Sequence, residues 1–285
     1  MMRSMFSAIS GLAVHQEMMD VTANNIANVN TIGFKSASVS FEDALSQLER
    51  GASAPTAIQG GTDAEQIGLG VRLGAISNIM TAGAVQTTGN ALDVAIQGDG
   101  FFRIVTDAST LGGATTPNYM YTRAGNFTTD ANGDLVTVDG NYVVGYPFNG
   151  AGVLQTGAAN ETKITIPAGS QSVTVAQDGT VSVTDSGGNV TKVAVISMAK
   201  FANDAGLERV SGNNWIATQN SGTEQAGVAN TNGLGTLTPG AVEMSNVNLA
   251  QEFTNMITAE RGFQANSRVI TTSDEMLQEL VNLKH

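Results

Sequence analysis

Apolar side chains recur at alternating steps of four and three at both ends of this chain and not between them. Met5, Ile9, Leu12, Gln16, Met19, Ala23 and Ile26 mark the first stripe. Leu249, Phe253, Met256, Glu260, Phe263, Ser267, Ile270, Asp274, Leu277 and Val281 mark the second. That spacing puts each set on one narrow helical stripe, the seam a coiled coil uses. It predicts helices over about residues 4–28 and 248–283, the second roughly 55 Å long. Asn30-Thr31-Ile32-Gly33 ends the first, because Asn and Gly tolerate the left-handed backbone that closes helices. Ser245, Asn246 and Asn248 are candidate caps for the second, and Asn248 has Gln251 three residues on. Gly262 reads as a weak point within it.

Six large residues of the second stripe (Leu249, Phe253, Met256, Phe263, Ile270 and Leu277) would each gain about 1.5–3 kcal/mol on burial. An antiparallel hairpin of the two helices within one subunit accounts for one such seam. It does not account for Glu260, Ser267 and Asp274 at every seventh position of the same stripe. Those polar positions point to several partners, or to water.

Between the helices the period falls to two. Residues 34–48 are mixed, with Ser40-Phe41-Glu42-Asp43 a possible short helix start, and residues 50–63 read as a loop. From about Ile67 the runs are strand-like, as in Leu92-Asp93-Val94-Ala95-Ile96 and Phe101-Phe102-Arg103-Ile104-Val105. Turn signals such as Asp139-Gly140 and Asp178-Gly179 separate later runs. Ser172–Val175 and Thr180–Val183 around Asp178-Gly179 make the clearest hairpin. The expected fold is α+β, with long N- and C-terminal α-helices as a coiled-coil-like pair flanking an inserted all-β barrel or sandwich-like domain. Its parts are an inner helical domain (1–29 and 246–285), an extended connector (30–75 and 226–245) and a β-rich outer domain (76–225). Any extra outer domain near 146–170 would be rudimentary. Asn30, Gly33, Gly240 and Asn246 are the candidate hinge or connector residues.

Charged residues make up only 13% of the 285, about half the globular norm. Neutral polar groups and 33 glycines replace them, a surface suited to packing against copies of itself. A net charge of −12 argues against nucleic acid and anionic membranes as partners. With no cysteine, thiolate catalysis and zinc-thiolate sites are excluded. Met5–Val14 follows Arg3 like a short signal peptide, but Ser7, Ser10 and Gly11 interrupt it, and the segment reads as an uncleaved amphipathic helix.

The run from Ala23 to Lys35 (ANNIANVNTIGFK) resembles the N-terminal signature of bacterial flagellar rod and hook proteins. Asn24, Asn25 and Asn28 within it also have a physical reading, since amides pin helix register against neighbours. Asn90–Phe102, Tyr121–Phe127, Gly145-Tyr146-Pro147, Ala202–Leu207 and Met244–Leu249 resemble further motifs of that family, in its order. Gly60-Gly61-Thr62, Gln66–Gly70 and Arg261–Leu283 resemble the hook subunit in particular. The resemblance implies a non-enzymatic, cofactor-free subunit of the flagellar hook. Such a subunit is exported without a cleaved signal peptide and polymerises with its own copies into a curved extracellular tube that acts as a universal joint. It implies a distal rod protein below, a hook–filament junction protein above and a hook cap during assembly. The alternative is a distal rod subunit, since this chain has no room for the large outer domain of many hook proteins.

No catalytic, cofactor or metal constellation stands beside this. Asp130, Asn132 and Asp134 begin like a calcium loop, but Leu135 replaces the required Gly and no twelfth-position Glu follows, so a β-turn is expected. Gly68–Gly74 has one residue too many for a dinucleotide fingerprint. His15 and His285 lack serine–acid partners. The sequons at Asn126, Asn160 and Asn189 read as chance, and Trp215 as a core residue.

Overall fold

A computed structural model describes residues 2–55, 60–112, 117–149, 152–157 and 160–283; His285 lies outside them. The chain forms two compact units, one of Met1–Ala27, Ala37–Ile79 and Val247–His285, the other of Asn28–Ser36 and Met80–Asn246.

The first unit contains both long helices, in contact with each other: α1, Met2–Ala27, and α2, Leu249–Asn282. At 34 residues, α2 is about 51 Å long. The Asn248 side chain caps it, accepting from the Ala250 and Gln251 amides, as the sequence led one to expect. Gly262 is no weak point. A Cβ there would lie 2.5 Å from the His15 imidazole, and one on Gly11 would lie 2.6 Å from the Asn266 amide. These reciprocal contacts make the helices antiparallel and let their backbones approach closely.

The same unit carries a ribbon where the sequence suggested a mixed segment, a loop and, from about Ile67, strand-like runs. Its strands are β1 (Ala37–Asp43), β2 (Ser46–Arg50), β3 (Glu65–Gly68) and β4 (Val71–Asn78). β1 pairs antiparallel with β4 from Ala37↔Asn78 to Asp43↔Val71, and β2 with β3 from Ser46↔Gly68 to Arg50↔Glu65. An isolated bridge, Ser53↔Thr62, continues the ladder toward the tip. Ser40–Asp43 is thus strand rather than a helix start. Register is set from α1: Asn25 donates to the Ala37 carbonyl (2.8 Å) and accepts from its amide (3.0 Å), and Ser10 Oγ accepts from Val71 N–H.

The second unit is β-rich. Its main sheet is antiparallel and curls into half a barrel, in the order 170–175, 180–185, 190–196, 142–147, 101–105, 119–122, 214–216 and 208–209. The expected hairpin is present, with Val173↔Val183 and Val175↔Val181 in register and Gly179 at φ 82° in its turn. One core gathers Val94, Ile96, Phe102, Ile104, Phe127, Leu135, Val143 and Ile196. A second surrounds Trp215 with Phe101, Tyr121, Phe201 and Leu207.

Candidate assembly interface

The seam between α1 and α2 is lined by small residues. Ala8, Gly11 and Thr22 are buried on α1, and Ala259 and Ser273 on α2. The buried pair on α2 sits one residue before Glu260 and Asp274, so the sequence stripe runs beside the seam and not along it. Met256, Phe263, Ile270 and Leu277 are half-buried at its edge, while Leu249, Phe253 and Val281 are exposed. On α1, Met5, Leu12, Met19 and Ile26 are half-buried and Ile9 is 51% exposed. Asn25 is buried against the ribbon; Asn24 and Asn28 also have bonding partners.

Small residues draw the helices close and leave the large ones outside. Phe6, Ile9, Leu249, Phe253, Ile257, Val269, Met276, Leu280, Val281 and Leu283 are all exposed. An apolar surface of this extent on two long helices is a candidate interaction site. Half-exposed side chains of this size gain on the order of 1 kcal/mol each when covered.

The second unit contains a polar knot that the sequence did not reveal. The fully buried Glu243 carboxylate accepts from Lys35 Nζ at 2.6 Å, Arg123 at 3.2 Å and the Gly83 amide at 2.8 Å. Lys35 also donates to the Thr81 carbonyl at 2.7 Å. Burial lowers the Lys35 pKa, opposed by the attraction of Glu243. Asn246 accepts from the Ser36 amide and donates to Thr81. Gly33, at φ +69°, donates its amide to the Glu243 carbonyl, and a Cβ there would lie 2.6 Å from the Ala124 nitrogen. Arg209 lies over the Phe34 and Trp215 rings and donates to the Lys35 carbonyl. Of the other connector residues, Asn30 is exposed and Gly240 forms a turn at φ +70°. Three stretches of the second unit, near residues 36, 80 and 246, therefore meet at one carboxylate and one amide.

A second buried cluster centres on Arg103. Its guanidinium pairs with Glu161 and Glu224, each at 2.7 Å, and lies 4.0 Å from the Tyr119 ring centroid. Tyr119 and Tyr146 also donate to Glu161, and Tyr121 to Glu224. Burial and these carboxylates raise the phenol pKa values of Tyr119 and Tyr121. Each carboxylate is used in full by its neighbours, an arrangement that fixes the segment around Glu161 to the sheet and leaves no free acid or base. A charged residue inside the apolar run Phe101–Val105 was the visible signal for it. Asp130–Asp134 forms the expected turn: Asp130 accepts from the Asn132 and Asp134 amides. Asp134 is taken up by Lys163 and Thr165, and no metal-binding group of three acids, cysteines or histidines occurs among the described residues.

Three protein-family models match in order along the chain. They are the flagella basal body rod protein at residues 5–35, the D1 domain of flagellar hook protein FlgE/F/G at 95–183, and the C-terminal region of flagellar basal body rod FlgEFG proteins at 238–283. The flagellar basal-body rod protein FlgG of Bacillus subtilis is 47% identical over 285 residues, all of both chains. The chain belongs to the flagellar rod and hook protein family. The FlgG rod protein of Borreliella burgdorferi is 36% identical, covering 100% of this chain and 99% of its own. The flagellar hook protein FlgE of the same organism is 28% identical over an alignment of 451 residues that takes in the whole of both chains.

Membership in the family makes the chain a non-enzymatic structural protein of the flagellar axis and basal body. The motifs at 60–70 and 261–283 resemble hook sequences, but the relatives at 36–47% identity over the full length are rod proteins, so the similarity favours the rod alternative over the hook and lends no support to curvature or universal-joint action.

Proposed function

We propose that this chain is the distal rod subunit of the flagellar basal body, polymerising with its own copies through its terminal helices. The observation that carries the rod over the hook is length. Alignment with the rod proteins needs almost no gaps, whereas the hook relative spreads the same 285 residues over 451 positions. The assembly residues are Met5, Ile9, Leu12, Met19, Asn24, Asn25, Ile26 and Asn28 on α1, and Leu249, Phe253, Met256, Phe263, Ile270, Leu277 and Val281 on α2. The exposed apolar surface of both helices supports this, because copies of the chain would cover what the intramolecular seam leaves open. Asn30, Gly33, Gly240 and Asn246 act as connectors that fix where the chain passes between its two units. Copies of itself lie to the sides, and the hook begins above.

The ribbon fits the same reading. Every residue of β2 and β3 is exposed, and a two-stranded hairpin is marginally stable alone. Neighbouring copies would supply its missing packing. The test is a strain in which this chain replaces the resident protein, followed by mechanical shearing. The rod reading requires the chain in the basal-body fraction and absence of hook and filament when its gene is deleted. Recovery in sheared extracellular hooks, with the rod intact in the deletion strain, would overturn it.

A further inference from the structure

Asn is followed by Gly at three places in the sequence: Asn132-Gly133, Asn149-Gly150 and Asn232-Gly233. Such a pair is self-reactive, because Gly has no Cβ to keep its backbone nitrogen away from the preceding side-chain amide. Gly150 lies outside the described residues. The other two pairs sit in turns that treat them differently.

At Asn132 the reacting groups are held. The Gly133 N–H donates to the Asp130 carbonyl at 3.0 Å, and the Gly133 carbonyl accepts from the Ile166 N–H at 2.7 Å. Asn132 donates its backbone N–H to Asp130 Oδ1 at 2.8 Å and its side-chain amide to Asp130 Oδ2 at 3.4 Å. Residues 231–234 form a type I′ turn instead, with φ +51° at Asn232 and +77° at Gly233. Leu234 N–H closes it on the Thr231 carbonyl at 2.8 Å. Asn232 and Gly233 are both exposed. Among the described residues neither the Asn232 side chain nor the Gly233 N–H has a hydrogen-bond partner, and the Gly233 carbonyl has only a 3.5 Å contact from Lys200 Nζ.

We infer that Asn232 is a self-modification site, converting to aspartate and isoaspartate, while its own turn protects Asn132. The Gly233 nitrogen loses its proton to water or hydroxide and bonds to Asn232 Cγ. The Cγ–Nδ2 bond breaks and ammonia leaves. Water then opens the cyclic imide, at Cγ to give aspartate or at the main-chain carbonyl to give isoaspartate, so one water enters for each ammonia lost. Ring closure swings the Gly233 nitrogen toward the side chain, which requires the turn to open locally. The Leu234 bond opposes that swing at Asn232, whereas the whole Asp130 set and Ile166 oppose it at Asn132. The product carries a new negative charge, and isoaspartate lengthens the main chain two residues before Leu234, which is buried in the larger core. This chemistry is independent of the rod reading.

The full-length chain is incubated at mildly alkaline pH in water labelled with heavy oxygen, then digested and mapped by mass spectrometry. Synthetic peptides of residues 128–136 and 228–236 supply the rates without the fold. Relative to its own peptide, Asn232 is expected to convert at least about tenfold faster than Asn132, because fewer hydrogen bonds hold its turn. Equal relative rates, faster conversion at Asn132, or no heavy oxygen at residue 232 while its peptide converts would overturn the inference. Asp130→Ala tests the cause separately. In the folded variant Asn132 should accelerate at least about threefold against a peptide of matching sequence, with Asn232 unchanged. An unaltered relative rate at Asn132 would overturn the protection assigned to its turn.

Discussion

Asp134 is buried with its carboxylate between Lys163 Nζ at 2.5 Å and Thr165 Oγ1 at 2.6 Å. Burial alone would raise its pKa, but those hydrogen bonds hold it below the ordinary carboxylate value of 3.8. A depressed carboxylate contributes stability above its unfolded pKa and loses it as pH falls through the lower folded value. Asp134→Asn is therefore expected to lower the melting temperature by about 2–4 °C at neutral pH, the modest figure reflecting solvent screening at exposed Lys163. The gap to wild type should close below about pH 4. A gap that persists undiminished to about pH 2 in calorimetry would contradict the assignment. The turn itself was legible, since Asp-Ala-Asn-Gly is turn chemistry whatever lies around it. The partners of Asp134 were not, because Lys163 and Thr165 approach it only through long-range strand pairing. Lys35 was hidden for the same reason: a buried charge is intelligible only beside its counter-charge, and Glu243 lies 208 residues from Lys35.

At the scale of elements, both helices, the Asn248 cap and the 170–185 hairpin follow from local pattern. The ribbon does so only in part. β4 falls among the strand-like runs expected from about Ile67, and β1 alternates apolar and polar residues, but β2 and β3 are exposed throughout and no apolar face fixes their pairing. The heptad stripe illustrates a different limit. Large apolar residues announce a helix face, but here small ones occupy the intramolecular seam, so the conspicuous stripe lies beside it. Amide hydrogen exchange should separate the elements. In the unassembled chain β2 and β3 are expected to exchange within seconds while residues 101–105 and 142–147 stay protected, and assembly should slow the ribbon by about a hundredfold or more. Equal ribbon protection in both states would mean that neighbours contribute nothing to its order.

For the whole molecule, the two units divide assembly from scaffold. A chain of residues 28–246 retains Lys35, Arg123 and Glu243 and is expected to melt cooperatively as a monomer. A chain of residues 80–246 lacks Lys35 and leaves Glu243 with one cation, which should cost on the order of 3 kcal/mol. Denaturant titration of the two measures the difference, and coincident midpoints would refute a stabilising role for the Lys35 segment. The sequence shows why both units were foreseeable while their junctions were not. Gly- and Asn-rich composition at residues 28–33 and 230–240 reads as loose connection, yet Gly33 and Asn246 are bonded into the β unit.

That bonding decides where tension along the chain would enter the β unit. A pull on the chain near residues 36, 80 or 246 meets residues tied to Glu243, Thr81 and Asn246 before any strand of the half-barrel. Buried ion pairs and short hydrogen bonds yield little until they break outright, so the knot behaves as a stiff coupling. Three separate stretches of chain share the strain, and the core behind them stays unloaded.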